Sequence, residues 1–398
     1  MSVSPQRMAL LLAALSAIGP FAIDTYLPAF HAIGDSLQAS ADDLQWTLAI
    51  YMVTFAFMSL WHGALSDCFG RRVVIVAGSV VFLLASLLCA VAPSIEWLWF
   101  GRAVQGMAAG AGVIVGRAMI RDLFEGAPAQ RLMSRVATIF AVAPAIAPML
   151  GGWITFHVGW RAIFWFLAAF SGFLAWLSWK ELPETLPPAA RKPLHIPEML
   201  RAYAQIFSNR EFLLLSAVVA LNFNAFFVHI AAAPTFLIHH LGLTETQFGW
   251  LFVPFVTGLA LGSMISSRVA GRWSSHRTVC CGFIIMGVAM MFAVGHAALF
   301  PPAVPASVLP IGLFSLGMSL AAPSLMLLTL ELFPARRGMV VSCQTFLQVG
   351  LNAVTAKAIV PLIWGSPLTL ELGMGGFLVL GAVCYALWRR GPRSVGDA

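Results

Sequence analysis

Long apolar runs alternate with short polar breaks along this chain, and the run length sets the first reading. A helix that crosses a bilayer needs roughly 20 mostly apolar residues. Twelve segments reach that length: 8–30, 44–65, 73–92, 97–118, 132–156, 161–180, 211–237, 246–267, 277–297, 305–328, 339–362 and 370–389. They predict an all-α integral membrane protein. The first run follows Arg7 and has small residues near Ala13 to Ala17, as a secretory leader would. It continues to Phe30, so we read it as an uncleaved first helix. Pro301, Pro302, Pro305 and Pro310 blur the start of the tenth run.

The segment 181–210 breaks the rhythm. Its first part, ELPETLPPAARKPLHIPEML, carries five prolines and reads as a polar linker with room for a short amphipathic helix. It divides the chain into an N-terminal six-helix bundle (1–180), a cytoplasmic linker (181–210) and a C-terminal six-helix bundle (211–398). Two halves of six imply an internal duplication, although no strong letter-by-letter repeat accompanies it.

Composition supports the membrane reading. The chain is 60% hydrophobic and only 10% charged, whereas a soluble domain carries about 25% charged residues. Such a chain cannot coat a soluble globule. A net charge of +7 raises the question of nucleic acid, but the basic residues form no single stripe. They cluster between apolar runs. Twenty of the 23 Lys and Arg, from Arg7 through Lys192 to Arg393, fall in loops on one side, and only Arg161 falls on the other. That asymmetry predicts both termini in the cytoplasm. The six cysteines include no CxxC pair and read as packing residues, which leaves disulfides and metal sites without support.

Ionisable residues inside the bilayer cost roughly 2.5–3.5 kcal/mol each on insertion scales and persist where they face a cavity or a partner. Three stand out: Asp24, Arg102 and Lys357. Asp24 in the first run and Arg102 in the fourth both lie about 7–9 Å below the same boundary at 1.5 Å per residue. One reading couples them, with Asp24 taking up and releasing a proton; the other is a static ion pair or packing bond. Gln344, Gln348 and Asn352 recur at i, i+4 and i+8 before Lys357 and give the eleventh helix a polar face, which normally lines a water-filled cavity. Lys357 can instead snorkel to the interface. Asn222 and His229, seven residues apart, share a face of the seventh helix, either for substrate or titration or for hydrogen-bonded packing. No other histidine is expected well inside a span, which argues against haem ligation. No phosphate-binding Walker loop occurs, since none of the three lysines follows a glycine. No GxSxG signature occurs either. The pairs Gly106/Gly110 and Gly258/Gly262 have GxxxG spacing, whose default meaning is close helix packing.

The motifs carry a family resemblance. GALSDCFGRR, Gly63 to Arg72, resembles the loop pattern GxLaDrxGrk of the major facilitator superfamily through Gly63, Leu65, Asp67, Gly70, Arg71 and Arg72; Cys68 departs from it. In that family the loop is a conformational latch between the bundles, and Asp122 is a candidate partner for Arg71 or Arg72. LWFGRAVQGMAAG is similar to the family's fourth-helix pattern, whose arginine, here Arg102, is tied to proton coupling in antiporters. APAIAPMLGG resembles the antiporter pattern gxxxGPxxGG at Pro148, Gly151 and Gly152, with Ala143 and Ala147 in place of two glycines. GPFAIDTYLPAF, GWRAIFWF and LPETL resemble the Bcr/CflA group of bacterial drug exporters, whose first-helix acidic residue is Asp24 here.

The resemblance implies a twelve-helix, alternating-access transporter in the bacterial inner membrane. It implies a monomer that needs no cofactor and works as a multidrug efflux antiporter driven by protons. Its partners are then protons, membrane lipid and small amphipathic substrates, without nucleic acid. Asp24 and Arg102 become the proton-coupling pair, with Asn222, His229, Gln344, Gln348, Asn352 and Lys357 as cavity lining. The nearest rival is a metabolite exporter or importer on the same fold. An enzyme would need a catalytic set at one membrane face, a receptor would signal without flux, and a channel would need a selectivity ring.

Overall fold

The computed structural model describes residues 5–124, 126–191 and 193–391; Lys192 and Arg393 lie outside the described residues. Among the described residues all regular structure is helical. The long helices are α1 (Pro5–Asp24), α2 (Ala41–Ser59), α3 (Arg71–Ala90), α4 (Ile95–Leu123), α5 (Gly126–His157), α6 (Arg161–Glu181), α7 (Arg210–Ala231), α8 (Gly249–Val269), α9 (Ser275–Leu299), α10 (Leu309–Glu331), α11 (Arg337–Val354) and α12 (Pro367–Arg390). Among the described residues ten helices are long and apolar enough to cross a membrane, and the bent pair Ala41–Ser59 and His62–Phe69, taken as one span, makes an eleventh. Helix α5 stands where the fifth apolar run lies. The ends of the molecule differ in charge, so we name them the basic-rich end, where α2 meets α3, and the basic-poor end, where α1 meets α2.

Local chemistry sets several boundaries. Ser40 caps α2 by accepting from Asp43 N–H, and Asp42 and Asp43 in its first turn favour the positive end of the helix dipole. Asn209, Ser274 and Ser366 cap α7, α9 and α12 in the same way. Pro310 falls in the first turn of α10, where its missing N–H costs nothing, so that helix starts at Leu309. Four runs are not single helices. The first ends as a helix at Asp24 and continues through a 3₁₀ turn, Leu27–Ala29. The second breaks after Ser59 with a 49° bend. The seventh and eleventh pass into π-helical turns at Pro234–His240 and Thr355–Ile359.

The two halves pack by one plan. In the first half α1 touches α4, α5 and α6, α4 touches α2 and α3, and α3 touches α6. In the second half α7 touches α10, α11 and α12, α10 touches α8 and α9, and α9 touches α12. Adding six to each helix number converts one list into the other. The halves meet through α2 against α11 and α5 against α8, a pair of contacts that the same rule exchanges. The GxxxG glycines serve this plan. A side chain at Gly106 would strike the Tyr51 carbonyl of α2, and at Gly258 or Gly262 the carbonyls of Gly312 and Leu316 on α10. Large apolar side chains point outward, among them Leu84, Trp97, Trp153, Trp176, Trp179 and Phe292, as a lipid-facing surface with aromatic girdles requires.

The linker contains one helix, Ile196–Phe207, whose Tyr203 and Ile206 are buried against Phe212, Val340 and Cys343. Tyr203 Oη donates to Leu60 O at 2.6 Å, at the break in the second run. Burial, with the Cys343 thiol nearby, pushes the Tyr203 phenol above its ordinary pKa.

Candidate functional site

Arg102 is completely buried in the first half. Its Nη1 donates to Ala22 O and to Gln105 Oε1, both at 2.9 Å. Gln105 in turn donates to Ser86 Oγ at 2.7 Å. The guanidinium lies 4.8 Å from the Tyr26 ring centre and 4.4 Å from that of Tyr51, a cation–π cage. Tyr26 Oη shares a hydrogen bond with Thr47 Oγ1 at 2.8 Å. The Ala22 carbonyl is available because α1 stops nearby: Tyr26 N–H reaches back only three residues, to Ile23 O. Nε and Nη2 of Arg102 have no partner among the described residues.

Asp24, 5% exposed, sits two residues beyond that carbonyl. The two charges lie in one region, as their matched depth implies, but their side chains are not ion-paired among the described residues. Their link runs through the backbone at Ala22. The static ion pair weighed above is therefore replaced by a cationic cage beside a separate carboxyl.

The loop motif forms a tight network. Arg71 Nη1 pairs with Asp67 Oδ1 at 2.5 Å and donates to Ser66 Oγ at 2.6 Å; its Nε donates to Asp122 Oδ2 at 3.1 Å. Thr185 donates to the same Asp122 oxygen at 2.9 Å. Glu184, inside the LPETL string, accepts from the backbone N–H groups of Arg71 and Arg72 at 2.9 and 3.3 Å. It thereby caps α3 with a carboxylate. Gly70 has φ +103°, and a Cβ there would collide with Glu184. Arg72 bonds the Trp179 carbonyl and covers its ring at 4.7 Å. Gly63 has open space where a side chain would start. Among the described residues, these contacts tie the loop to its own half and to the linker.

One of the antiporter-type glycines does bridge. A Cβ at Gly151 would strike the Thr25 backbone just past α1 in its own half, and at Gly152 the Glu245 carbonyl of the second half. Pro144 and Pro148 lie inside the same helix. Other contacts at the basic-poor end are Gln45 Nε2 to Ala231 O at 3.0 Å and the ion pair of Lys357 with Asp42. Lys357 also lies 4.9 Å from the Trp46 ring centre. Lys357 is therefore engaged across the halves by Asp42, and at five residues past Asn352 it stands off the i, i+4 spacing of Gln344, Gln348 and Asn352. At the basic-rich end Ser59 Oγ donates to Ser342 O at 3.5 Å.

The remaining cavity residues do not form one lining. Asn222 Oδ1 faces Gly381 of α12. His229 Nε2 lies 3.1 Å from Glu371 Oε1, also on α12. Both thus share a face, but that face packs inside the second half. Asn352 accepts from Asn224 Nδ2 at 2.9 Å, and Asn224 Oδ1 accepts from Thr355 at 2.7 Å. Gln344 is buried with Nε2 unpartnered among the described residues, and Gln348 is half-buried. A cavity of about 670 Å³ opens between the halves at the basic-poor end, lined by Phe30, His31, Asp35, Gln38, Gln45, Thr235, Ile238, His239 and Trp364.

Sequence reasoning missed Glu371, Glu184 and the tyrosine cage. It also missed His62, which is 3% exposed within a run where no further buried histidine was expected. Glu371 carried a signal, since it lies inside the twelfth apolar run.

A family model described as Major Facilitator Superfamily matches residues 10–236 and 215–398. The bicyclomycin resistance protein homolog of Haemophilus influenzae is 30% identical over 259 residues, 65% of each chain; the match spans just under two thirds of that relative's length. The multidrug transporter MdfA of Yersinia pestis is 27% identical over 375 residues, 94% of this chain and 91% of the relative. A D-xylose–proton symporter structure superposes with a TM-score of 0.74 over 96% of this chain and 98% of the other. At 14% identity that likeness bears on fold alone.

Proposed function

This chain belongs to the Major Facilitator Superfamily, and from that premise we propose that it is a proton-coupled antiporter exporting small amphipathic compounds across the bacterial inner membrane. The proposal places the basic-rich end and both termini in the cytoplasm, following the bias in Lys and Arg. The energy comes from the proton gradient, without a cofactor. Relatives named for bicyclomycin resistance and multidrug transport support a drug as substrate.

One observation carries the coupling mechanism: the fully buried Arg102 holds the Ala22 carbonyl two residues before Asp24. In this reading Asp24 exchanges the proton. Its charge changes where α1 stops being helical, beside the Thr25 backbone against which Gly151 packs. Neutralising Asp24 alters the field on a fixed guanidinium and so biases how α1 sits against α5. Alternating access then rocks one half against the other about α2–α11 and α5–α8. Contacts such as Gln45–Ala231 and Asp42–Lys357 must break for the basic-poor end to open.

The test uses inside-out vesicles with an imposed proton gradient and a panel of labelled drugs. Gradient-dependent accumulation by the native chain, lost in Asp24→Asn, is the expected result. Native-like accumulation in Asp24→Asn removes that carboxyl from coupling. A panel of overflow metabolites run in parallel separates drug export from the metabolite alternative.

A further inference from the structure

We propose that His229 and Glu371 form a second proton-binding site, separate from Asp24 and built wholly within the second half. His229 is fully buried and Glu371 is 3% exposed. They join α7 to α12 through one contact of 3.1 Å. Their other polar atoms, His229 Nδ1 and Glu371 Oε2, have no partner among the described residues. Packing alone does not call for this pair, because an apolar pair would fill the same space without desolvating a carboxyl.

The contact suits proton storage because its heavy-atom geometry tolerates two proton counts. With one proton, Nε2–H donates to a carboxylate and the pair carries a single negative charge. With two, either an imidazolium faces a carboxylate, or Glu371 O–H donates to Nε2 while the ring proton sits on Nδ1, the other tautomer. Both two-proton forms are neutral. Uptake of one proton from water therefore removes the net charge without moving the helices apart. The proton belongs to the pair and not to either residue.

Other charges near α7 are few. Helix α12 contributes Glu371 itself, with Arg389 and Arg390 at its basic-rich end, and α7 carries Arg210 and Glu211 at that same end. The turn Thr355–Ile359, packed on α7, contributes Lys357, which is engaged by Asp42. The α10 and α11 segments carry their charged residues, Glu331 and Arg337, only at the basic-rich ends. The Phe236 ring closes over His229 at 5.2 Å.

The pair also has a route to the junction between halves. Ala231 is two residues from His229, and its carbonyl accepts the Gln45 hydrogen bond from α2. A charge change at the pair is thus felt where the basic-poor end is held shut. This role in transport rests on the antiport reading above; the proton site does not.

The experiment is pH-difference infrared spectroscopy on the full chain in liposomes, which needs no substrate. The native protein and Asp24→Asn should both show carboxyl and imidazole signals that disappear together in Glu371→Gln and in His229→Gln. If neither substitution changes the difference spectrum, the proposal is overturned. Should either variant fail to fold, native protein labelled with ¹³C,¹⁵N-histidine decides by solid-state NMR. A water-inaccessible imidazole that changes ring protonation or tautomer with pH is expected, and none doing so overturns the proposal. In transporting vesicles Glu371→Gln should shift the reversal point by one proton per molecule exported; an unshifted reversal point removes the pair from the cycle. Vesicles with no drug transport at all would sink the antiport reading while leaving the spectra to judge the site.

Discussion

The two halves share a packing plan and differ in how they hold charge. The first half buries one guanidinium between two tyrosine rings and fastens its α2–α3 turn with Asp67, Arg71, Asp122 and Glu184. The second half buries a His–Glu pair, and at its corresponding turn Arg277 lies over the Trp273 ring. Gly271, at φ +75°, has nothing within 4 Å of where a side chain would begin, whereas Gly70 faces Glu184. Duplication supplies the scaffold, and the chemistry then diverges on it.

The comparison can be broken at several points. The largest effect is expected from Arg102→Met. It removes the guanidinium that bonds both Ala22 O and Gln105 while leaving the helix apolar, so drug accumulation should fall to the level of empty vesicles. Arg102→Lys should not restore it, because an ammonium cannot reproduce the planar fork between two rings. Retained transport in either variant would mean that the cage is structural only. Next comes Gly152→Val, which drives a side chain into the Glu245 carbonyl. Overpacking costs about 1–3 kcal/mol, enough to shift a two-state equilibrium roughly 5- to 150-fold. Cysteine accessibility at Gln38→Cys should rise accordingly.

The paired turns give a smaller and sharper contrast. Gly70→Ala should cost about 1–2 kcal/mol for the left-handed backbone and a further ~1–3 kcal/mol as Glu184 is displaced from its N–H partners. Gly271→Ala should cost only the backbone part. Equal losses of thermal stability for the two would remove the claimed asymmetry. Smallest is Lys357→Met. Its Asp42 partner is 61% exposed, so about 0–1 kcal/mol is at stake, and the effect should fade at high salt.

Much of this was legible in the sequence. Apolar run length places the helices, and the duplication shows in their number. Small residues at Gly106, Gly258 and Gly262 mark the tight crossings. What failed to read out depends on distance along the chain or on irregular helix ends. Glu371 pairs across 142 residues and, at the second position of its run, resembles an interfacial acid. Glu184 sits in a proline-rich polar stretch where a solvated carboxylate is the default. Matched depth brought Asp24 and Arg102 into one neighbourhood, but α1 ends at Asp24, and run length does not encode that loss of helical register. The partner of Lys357, Asp42, lies 315 residues away on the other half, a pairing that helical spacing along one run does not encode.

The carboxylate cap on α3 has a mechanical corollary. Because Glu184 and Thr185 are bonded to the first half, and Tyr203 and Ile206 of the linker helix pack against Phe212, Val340 and Cys343 of the second, the slack between these anchors is the stretch 187–195. Nine residues at up to ~3.3 Å each give a tether of about 30 Å. Its prolines at 187, 188 and 193 make that tether stiff. Any rocking of the halves is therefore limited by a short, semi-rigid strap, which sets a stop on how far the basic-rich end can open.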